Sequence, residues 1–171
     1  MPARNPSTVP VAVDLGTHPG HLIRRVAQVH TRLWQAMVSE TVTSPQFAVL
    51  NGVAARTDVD QRTLGAMVSL DRSTVADVVG RLAGKGLLER GRDSTDARRN
   101  TLRLTAQGRA MHRKLVARTA MLNETLLGGL DTEQRSALLH ALHRLATWGE
   151  NRLDGVRGDD IGSPERGANS A

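Results

Sequence analysis

The sequence contains no cysteine and very few aromatic residues. The absence of cysteine excludes disulfide bonds, thiolate metal sites, cysteine nucleophiles and thiol redox sensing. Its aromatic rings are Trp34, Phe47 and Trp148, too few for single-strand nucleic-acid binding by base stacking. The sequence also lacks an apolar run near the roughly 18 residues of a membrane span, and its Pro-rich start lacks the hydrophobic block of a signal peptide. We therefore expect a cytoplasmic protein without a membrane partner.

Acidic residues are outnumbered by basic ones. The 171 residues carry a formal net charge of +6, and most of the basic residues are arginine. This charge favours polyanionic partners without specifying which. The length suits one compact domain, or a small module with helices that complete their core in a partner subunit.

Apolar periodicity divides the chain into helical segments between two tails. Residues 1–17 and 154–171 are rich in Gly, Pro, Ser and charge, which predicts flexible tails. Apolar residues at three- and four-residue steps predict a long helix over residues 19–40. The same spacing predicts helices over 105–127 and 131–152.

Two shorter helices are predicted from their start signals. Ser44 is the expected N-cap of one helix, with Pro45 at its first position. Asp60 is the expected cap of the next. The residues of that second helix expected to face inward are Leu64, Met67 and Val68.

The stretch "LDRSTVADVVGRLAGKGLLER" predicts a helix with two contrasting faces. One face is apolar and consists of Val75, Val78, Val79 and Leu82, at positions i, i+3, i+4 and i+7. The other face is small and polar and consists of Ser73, Ala76, Asp77, Gly80 and Gly84, flanked by Thr74 and Arg81. Glycine inside a helix costs about 1 kcal/mol relative to alanine. A surface that another body approaches closely explains Gly80 better than the alternatives, which are crowding against a neighbouring helix or a frayed C-terminal turn. For Gly84 these alternatives fit equally well.

The start of this helix suits contacts to nucleic acid. Asp71 caps it and leaves Arg72, Ser73 and Thr74 in the first turn. Free backbone N–H groups and short hydroxyls there would suit phosphate and base-edge contacts. Because another short helix ends just before "SLD", the two helices form a predicted helix-turn-helix.

The charge run "DSTDARR" lies between two strand-like stretches, which predicts a hairpin. Taken alone, a charged hairpin tip is most simply a solvated loop. A helix-turn-helix directly upstream instead makes this hairpin a wing that contacts DNA.

The stretch "LDRSTVADVVGRLAGKGLLERGRDSTDARRNTLRLTAQG" strongly resembles the MarR family of winged helix-turn-helix transcriptional regulators. The resemblance covers about residues 18–153. It implies a mainly α fold with a small β-hairpin wing, in which a winged module over 43–104 is inserted between dimerisation helices over 18–42 and 105–153. The expected DNA contacts are Arg72, Ser73, Thr74, Asp77 and Arg81 on the helix, and Asp96, Arg98 and Arg99 on the wing.

The resemblance assigns different tasks to the wing residues. Arg98 would enter the minor groove, Asp96 would fix its rotamer, and Arg99 would reach a phosphate. The resemblance also implies a homodimer that reads a palindromic double-stranded operator, with half-sites about 10 base pairs apart.

The stretch "HPGHLIRRVAQVHTRLW" resembles a subgroup of this family that responds to phenolic or benzoic acids. By this match, Arg24 would pair with the carboxylate of a small aromatic ligand and His30 would bond a phenolic hydroxyl. Trp34, one turn from His30, is a further candidate contact. The alternatives are an intersubunit ion pair for Arg24, an interface role for His30 and packing for Trp34.

The function expected from the sequence is a ligand-responsive transcriptional repressor that a small aromatic acid releases from DNA. The alternative is an architectural DNA-binding protein that has neither operator preference nor effector. No nucleophile, base and orienting group occur together, so we expect no enzyme activity and no cofactor. His140 and His143 form an isolated pair without a third metal ligand, so no metal site is expected.

Overall fold

The computed structural model describes residues 13–92 and 100–159. The predicted mainly helical fold with a small hairpin is confirmed. The helices are α1 (Pro19–Leu33), which a π-helical segment (Trp34–Val38) follows, α2 (Ser44–Ala55), α3 (Gln61–Met67), α4 (Arg72–Gly84), α5 (Ala106–Leu127) and α6 (Thr132–Asp159). The strands are β1 (Val59–Asp60), β2 (Leu88–Arg92) and β3 (Asn100–Leu104).

The strands form one antiparallel sheet in the order β1-β3-β2. The hairpin expected from the sequence is β2 with β3, in which Glu89 lies opposite Arg103. The additional strand β1 pairs Val59 with Leu102. Two residues are too few to show an alternating pattern, so the sequence does not predict β1.

The core lies under the sheet and between α2, α3 and α4. All four residues of the predicted apolar face of α4 are buried there, and so is Leu64. The expected inward position of Met67 is wrong, because its side chain is 45% exposed. Met67 is the last residue of α3, and the backbone of Val68 has already left the helical conformation. No further turn therefore covers the Met67 side chain.

The start of α2 differs by one residue from the prediction. Its N-cap is Thr43, not Ser44, and Pro45 is the second helical residue. The Thr43 hydroxyl accepts from the backbone N–H of Gln46 at 3.4 Å, and the Gln46 side chain accepts from that of Thr43 at 3.2 Å. This reciprocal pair fixes the cap at Thr43. The predicted caps Asp60 and Asp71 are confirmed.

The long helices at the two ends of the chain differ from the others in their burial. The α-helical part of α1 buries none of its residues. Its exposed apolar residues are Leu22, Ile23, Val26 and Val29. Those of α6 are Leu138, Leu139, Leu142, Leu145, Trp148 and Leu153. The helix α6 continues to Asp159, past residue 153, where the tail was expected to start. No helix within the described ranges is long and apolar enough to span a membrane.

Candidate nucleic-acid interface

A tight turn joins α3 to α4. The backbone N–H of Leu70 donates to the carbonyl of Gly65 at 3.1 Å, and Ser69 takes a left-handed conformation with φ of 50°. A Cβ atom on Gly65 would lie 3.1 Å from the Leu70 carbonyl oxygen and 3.3 Å from Cγ2 of Val75. The close crossing of the two helices therefore favours a glycine at position 65, because a larger residue would require its neighbours to shift by a few tenths of an ångström.

Asp71 takes up most of the hydrogen-bond donors in the first turn of α4. Its Oδ1 accepts from the backbone N–H groups of Ser73 and Thr74, each at 3.0 Å. The expectation that these N–H groups are free for phosphate is therefore wrong, because the N-cap carboxylate already satisfies them. Of the first-turn residues, Arg72 alone does not donate its N–H to the Asp71 side chain.

The hydroxyl groups of Ser73 and Thr74 also donate to Asp71. These bonds, first from Ser73 and then from Thr74, hold the pKa of Asp71 well below its usual range. A hydroxyl has a single hydrogen, so in this arrangement Ser73 and Thr74 can accept from a base or water but cannot donate to a phosphate. In this arrangement, the Ser73 and Thr74 hydroxyl groups could therefore contact DNA only as hydrogen-bond acceptors.

The exposed face of α4 carries two arginines in different states. Arg81 donates from Nε to Oδ1 of Asp77 at 3.1 Å, one turn earlier on the helix. Both side chains are exposed, so the pair adds little stability, but it orients the guanidinium along the face. Arg72 is exposed and has no hydrogen bond to another described side chain.

The same face has open space at its glycines. A Cβ atom on Gly80 or Gly84 would meet nothing within 4 Å in the described parts of the chain. Crowding by the described residues, one of the two alternatives left open for Gly84, is therefore excluded there. The other alternative, a frayed C-terminal turn, remains open because Gly84 is the last residue of α4. The face that Asp77 and Arg81 share is thus unobstructed at its glycines within the described chain, and Arg72 lies in the first turn, about 180° around the helix axis from Arg81.

The root of the wing is well defined. Leu88, Leu102 and Leu104 are buried and hold the two strands on the core. The strands remain paired up to Arg92 opposite Asn100. The tip, residues 93–99, lies outside the described residues, and with it the predicted contacts Asp96, Arg98 and Arg99.

Asp58 supports the wing root, and sequence reasoning missed it. Its backbone is left-handed, with φ of 62°. Its Oδ1 accepts from the Thr101 hydroxyl at 3.3 Å and from Nε of Arg103. This contact and the charge of Asp58 raise the pKa of the Arg103 guanidinium. Asp58 therefore ties the end of α2 to the strand that leaves the wing tip.

The predicted ligand residues Arg24 and His30 lie on α1. Arg24 is exposed, and its guanidinium is 2.9 Å from Nδ1 of His21. His30 is half-buried, with its ring centroid 6.0 Å from that of Trp34. Their separation along α1 corresponds to a rise of about 9 Å and to directions about 120° apart around the axis. One α1 helix therefore does not direct both side chains to the same point.

Trp34 is part of the core. It is 3% exposed, and its indole N–H donates to the Val42 carbonyl at 2.7 Å. The ring also lies 5.5 Å from that of Phe47, measured between centroids. These contacts favour the packing alternative, and they leave the indole N–H unavailable to a ligand.

His140 and His143 lie on α6, and no group of three potential metal ligands occurs among the residues that the structure describes.

Comparison with known proteins places this arrangement among transcriptional regulators. A family model described as "MarR family" matches residues 41–99. Among solved structures, the PcaV transcriptional regulator from Streptomyces coelicolor, in complex with its natural ligand, shares 50% sequence identity with this chain. That similarity covers 80% of this chain and 97% of PcaV, with a TM-score of 0.77.

Two further solved structures are similar at lower identity. BpsR from Bordetella bronchiseptica, whose DNA binding is regulated by 6-hydroxynicotinic acid, is 26% identical with a TM-score of 0.74, over 80% of this chain and 98% of BpsR. The transcriptional repressor CouR, bound to a 23-mer DNA duplex, is 25% identical with a TM-score of 0.68, over 77% of this chain and 94% of CouR.

Proposed function

This chain belongs to the MarR family of transcriptional regulators, and we propose that it is a repressor that binds a palindromic operator as a homodimer and is released by a small aromatic acid. The proposal that the protein binds DNA rests on the outer face of α4, which is unobstructed within the described chain. There Arg81 is oriented by Asp77 and Gly80 leaves room for close approach, and Arg72 in the first turn has no hydrogen bond or ion pair to another residue that the structure describes. The similarity to CouR in its DNA complex supports the same reading.

The wing completes the proposed DNA contacts. Arg98 would enter the minor groove next to Asp96, and Arg99 would reach a phosphate. The paired strands β2 and β3, which Asp58 supports at their root, lead directly to these residues. Ser73 and Thr74 would contribute as acceptors.

The homodimer is supported by the exposed apolar residues of α1 and α6. Contiguous apolar patches of this kind are unusual on a monomeric protein and indicate a partner surface. A second copy of the chain would cover them, and a two-fold axis would place two α4 helices on the two half-sites of an operator.

The proposed effector is a small aromatic carboxylate or phenol bound at Arg24 and His30. The fork of donors on Arg24 suits a carboxylate, and the imidazole of His30 suits a hydroxyl. Because one α1 helix directs these two side chains about 120° apart, the proposed pocket takes Arg24 and His30 from different subunits of the homodimer. BpsR, with its aromatic acid regulator, supports this class of ligand.

The test is a gel shift on the DNA upstream of the protein's own gene, with a scrambled duplex as control. A specific repressor should bind its operator far more tightly than the scrambled duplex, and a single half-site base change should cost about 1–3 kcal/mol. Equal affinity for both duplexes would favour the alternative, an architectural protein that binds phosphates without operator preference.

The effector is tested in the same assay with a panel of aromatic acids. Arg24→Ala should keep operator affinity but lose the response to the acid that releases the wild type, whereas Arg25→Ala, the same exchange at the neighbouring position, should respond normally. If the same concentration of the acid releases both Arg24→Ala and wild-type protein from the operator, Arg24 does not bind the effector. An ion pair at the subunit interface would then be the better explanation of Arg24.

A further inference from the structure

Residues 38–43 lead from the π-helical segment into α2, and we call them the connector. Its backbone is not helical after Val38, so its carbonyl groups need partners elsewhere. The Val38 carbonyl accepts from Nη1 of Arg118, on α5, at 2.9 Å. The Val42 carbonyl accepts from the indole N–H of Trp34 at 2.7 Å. Side chains of two other elements thus hold the connector near its two ends.

The middle of the connector is bound by Lys85, the C-cap of α4. Its Nζ donates to the carbonyl of Thr41, 44 positions earlier in the chain. It also donates to Oε1 of Gln46 at 3.4 Å, and that amide belongs to the reciprocal pair that caps the start of α2. Because Gln46 is buried, its side chain is a fixed acceptor. Lys85 therefore joins the end of α4 to both the connector and α2.

The direction of the Lys85 side chain differs from what the helix period predicts. Lys85 follows Arg81 by four positions, which corresponds to about 40° around the axis of α4 and places it next to the face proposed to contact DNA. A lysine at such a position is ordinarily a phosphate contact, because its ammonium is a point charge on a flexible stem. In the structure the ammonium is instead directed to the oxygen atoms of Thr41 and Gln46.

We propose that Lys85 is a positioning residue for operator binding. It holds the end of α4 on the connector, which Trp34 and Arg118 hold in turn, and it does not itself contact DNA. Because the bond joins elements that are distant in sequence, it restricts how α4 can tilt relative to α2. This role rests on the proposed function, since it presupposes that α4 contacts the operator.

The same bonds provide a route from α1 to α4. The ring centroid of Trp34 lies 6.0 Å from that of His30, a residue of the proposed effector pocket. A displacement of Trp34 would move the Val42 carbonyl, and the adjacent carbonyl of Thr41 would move Lys85. Chains of hydrogen bonds and packed side chains of this kind can carry energetic coupling between distant sites.

The first test compares Lys85→Met with wild type by fluorescence anisotropy of a labelled operator over a series of salt concentrations. Methionine keeps most of the apolar stem and removes the ammonium. Operator affinity should fall by roughly fivefold, the effect of about one lost hydrogen bond, and the salt slope should keep its wild-type value. A phosphate contact would instead lower the slope by about one.

The matched control is Lys114→Met. Lys114 of α5 lines the same side of the connector, and within the described chain it donates to none of the connector carbonyls. This variant loses the same charge, and its operator affinity and salt slope should equal those of the wild type.

The second test observes the connector in the free protein. In a Trp148→Phe background Trp34 is the one indole that remains, and its emission responds to its hydrogen bond with Val42. Lys85→Met should change this emission. Lys85→Arg, which keeps the charge and the donors, should restore it, and Lys114→Met should leave it unchanged.

Three results would overturn the proposal. They are a salt slope that falls by about one in Lys85→Met, an unchanged operator affinity of that variant, and an unchanged Trp34 emission. Failure of the proposed function is distinguishable from these results, because it appears in wild-type protein as equal affinity for the operator and the scrambled duplex.

Discussion

Replacement of Gly80 by alanine is expected to stabilise the fold and to weaken operator binding at the same time. Gly80 lies inside α4, and a Cβ atom there would meet no described atom within 4 Å. Glycine inside a helix is less favourable than alanine by about 0.5–1 kcal/mol, because its unfolded backbone has more freedom to lose. With no steric cost to offset this gain, the free energy of unfolding should rise by most of that amount.

The opposite effect on DNA binding follows from the position of Gly80 on the outer face of α4. If this face lies against the operator, an added methyl group must fit into a packed interface, which costs about 1–3 kcal/mol. A loss of about 1.4 kcal/mol already lowers affinity tenfold. The two measurements are urea denaturation of the free protein and fluorescence anisotropy of a labelled operator at one fixed salt concentration.

A stabilised Gly80→Ala protein with wild-type operator affinity would refute the placement of this face against DNA. A destabilised one would refute the open space at Gly80.

Three further predictions concern the same module. Gly108→Ala should lower the free energy of unfolding by about 3 kcal/mol in urea denaturation, because its Cβ would lie 1.9 Å from the backbone carbonyl oxygen of Leu87; an unchanged urea midpoint would contradict this contact. Asp71 has a depressed pKa when folded, so its stabilising effect is present above the ordinary carboxyl pKa and is lost as the pH falls below about 4. As the pH falls below about 4, the free energy of unfolding should therefore decrease more for the wild type than for Asp71→Asn. If it changes equally with pH in both proteins, the Asp71 carboxylate does not stabilise the helix as an N-cap. Arg72→Ala should leave stability unchanged and reduce the salt dependence of operator binding by about one counterion, whereas an unchanged slope would mean that Arg72 does not meet a phosphate.

Helix α4 could be predicted because its signals are local. The apolar spacing from Val75 to Leu82 lies within α4, and the cap at Asp71 directly precedes it. Even there, the sequence did not indicate that Asp71 takes up the N–H and hydroxyl groups of Ser73 and Thr74. Whether these bonds form depends on the side-chain rotamers of the three residues, and the sequence does not determine the rotamers.

The support of the wing could not be predicted, because it joins distant parts of the chain. Asp58 contacts Thr101 and Arg103 across 43 and 45 positions. It does so from a left-handed backbone that aspartate tolerates but does not require. Strand β1 likewise exists only because β3 offers it a partner. Features that arise from pairing over long distances have no periodic pattern in the sequence.

The periodicity of α1 and α6 predicts helices but does not show what covers them. Within the described chain, the α-helical part of α1 buries no residue, and the leucines along α6 are exposed. Helical propensity alone makes isolated helices only marginally stable in water, so most of their stability must come from a packed apolar face. In the proposed homodimer, that face is provided by the second copy. Folding of α1 and α6 and association of the chains would then be one equilibrium, and the stability of the protein would depend on its concentration.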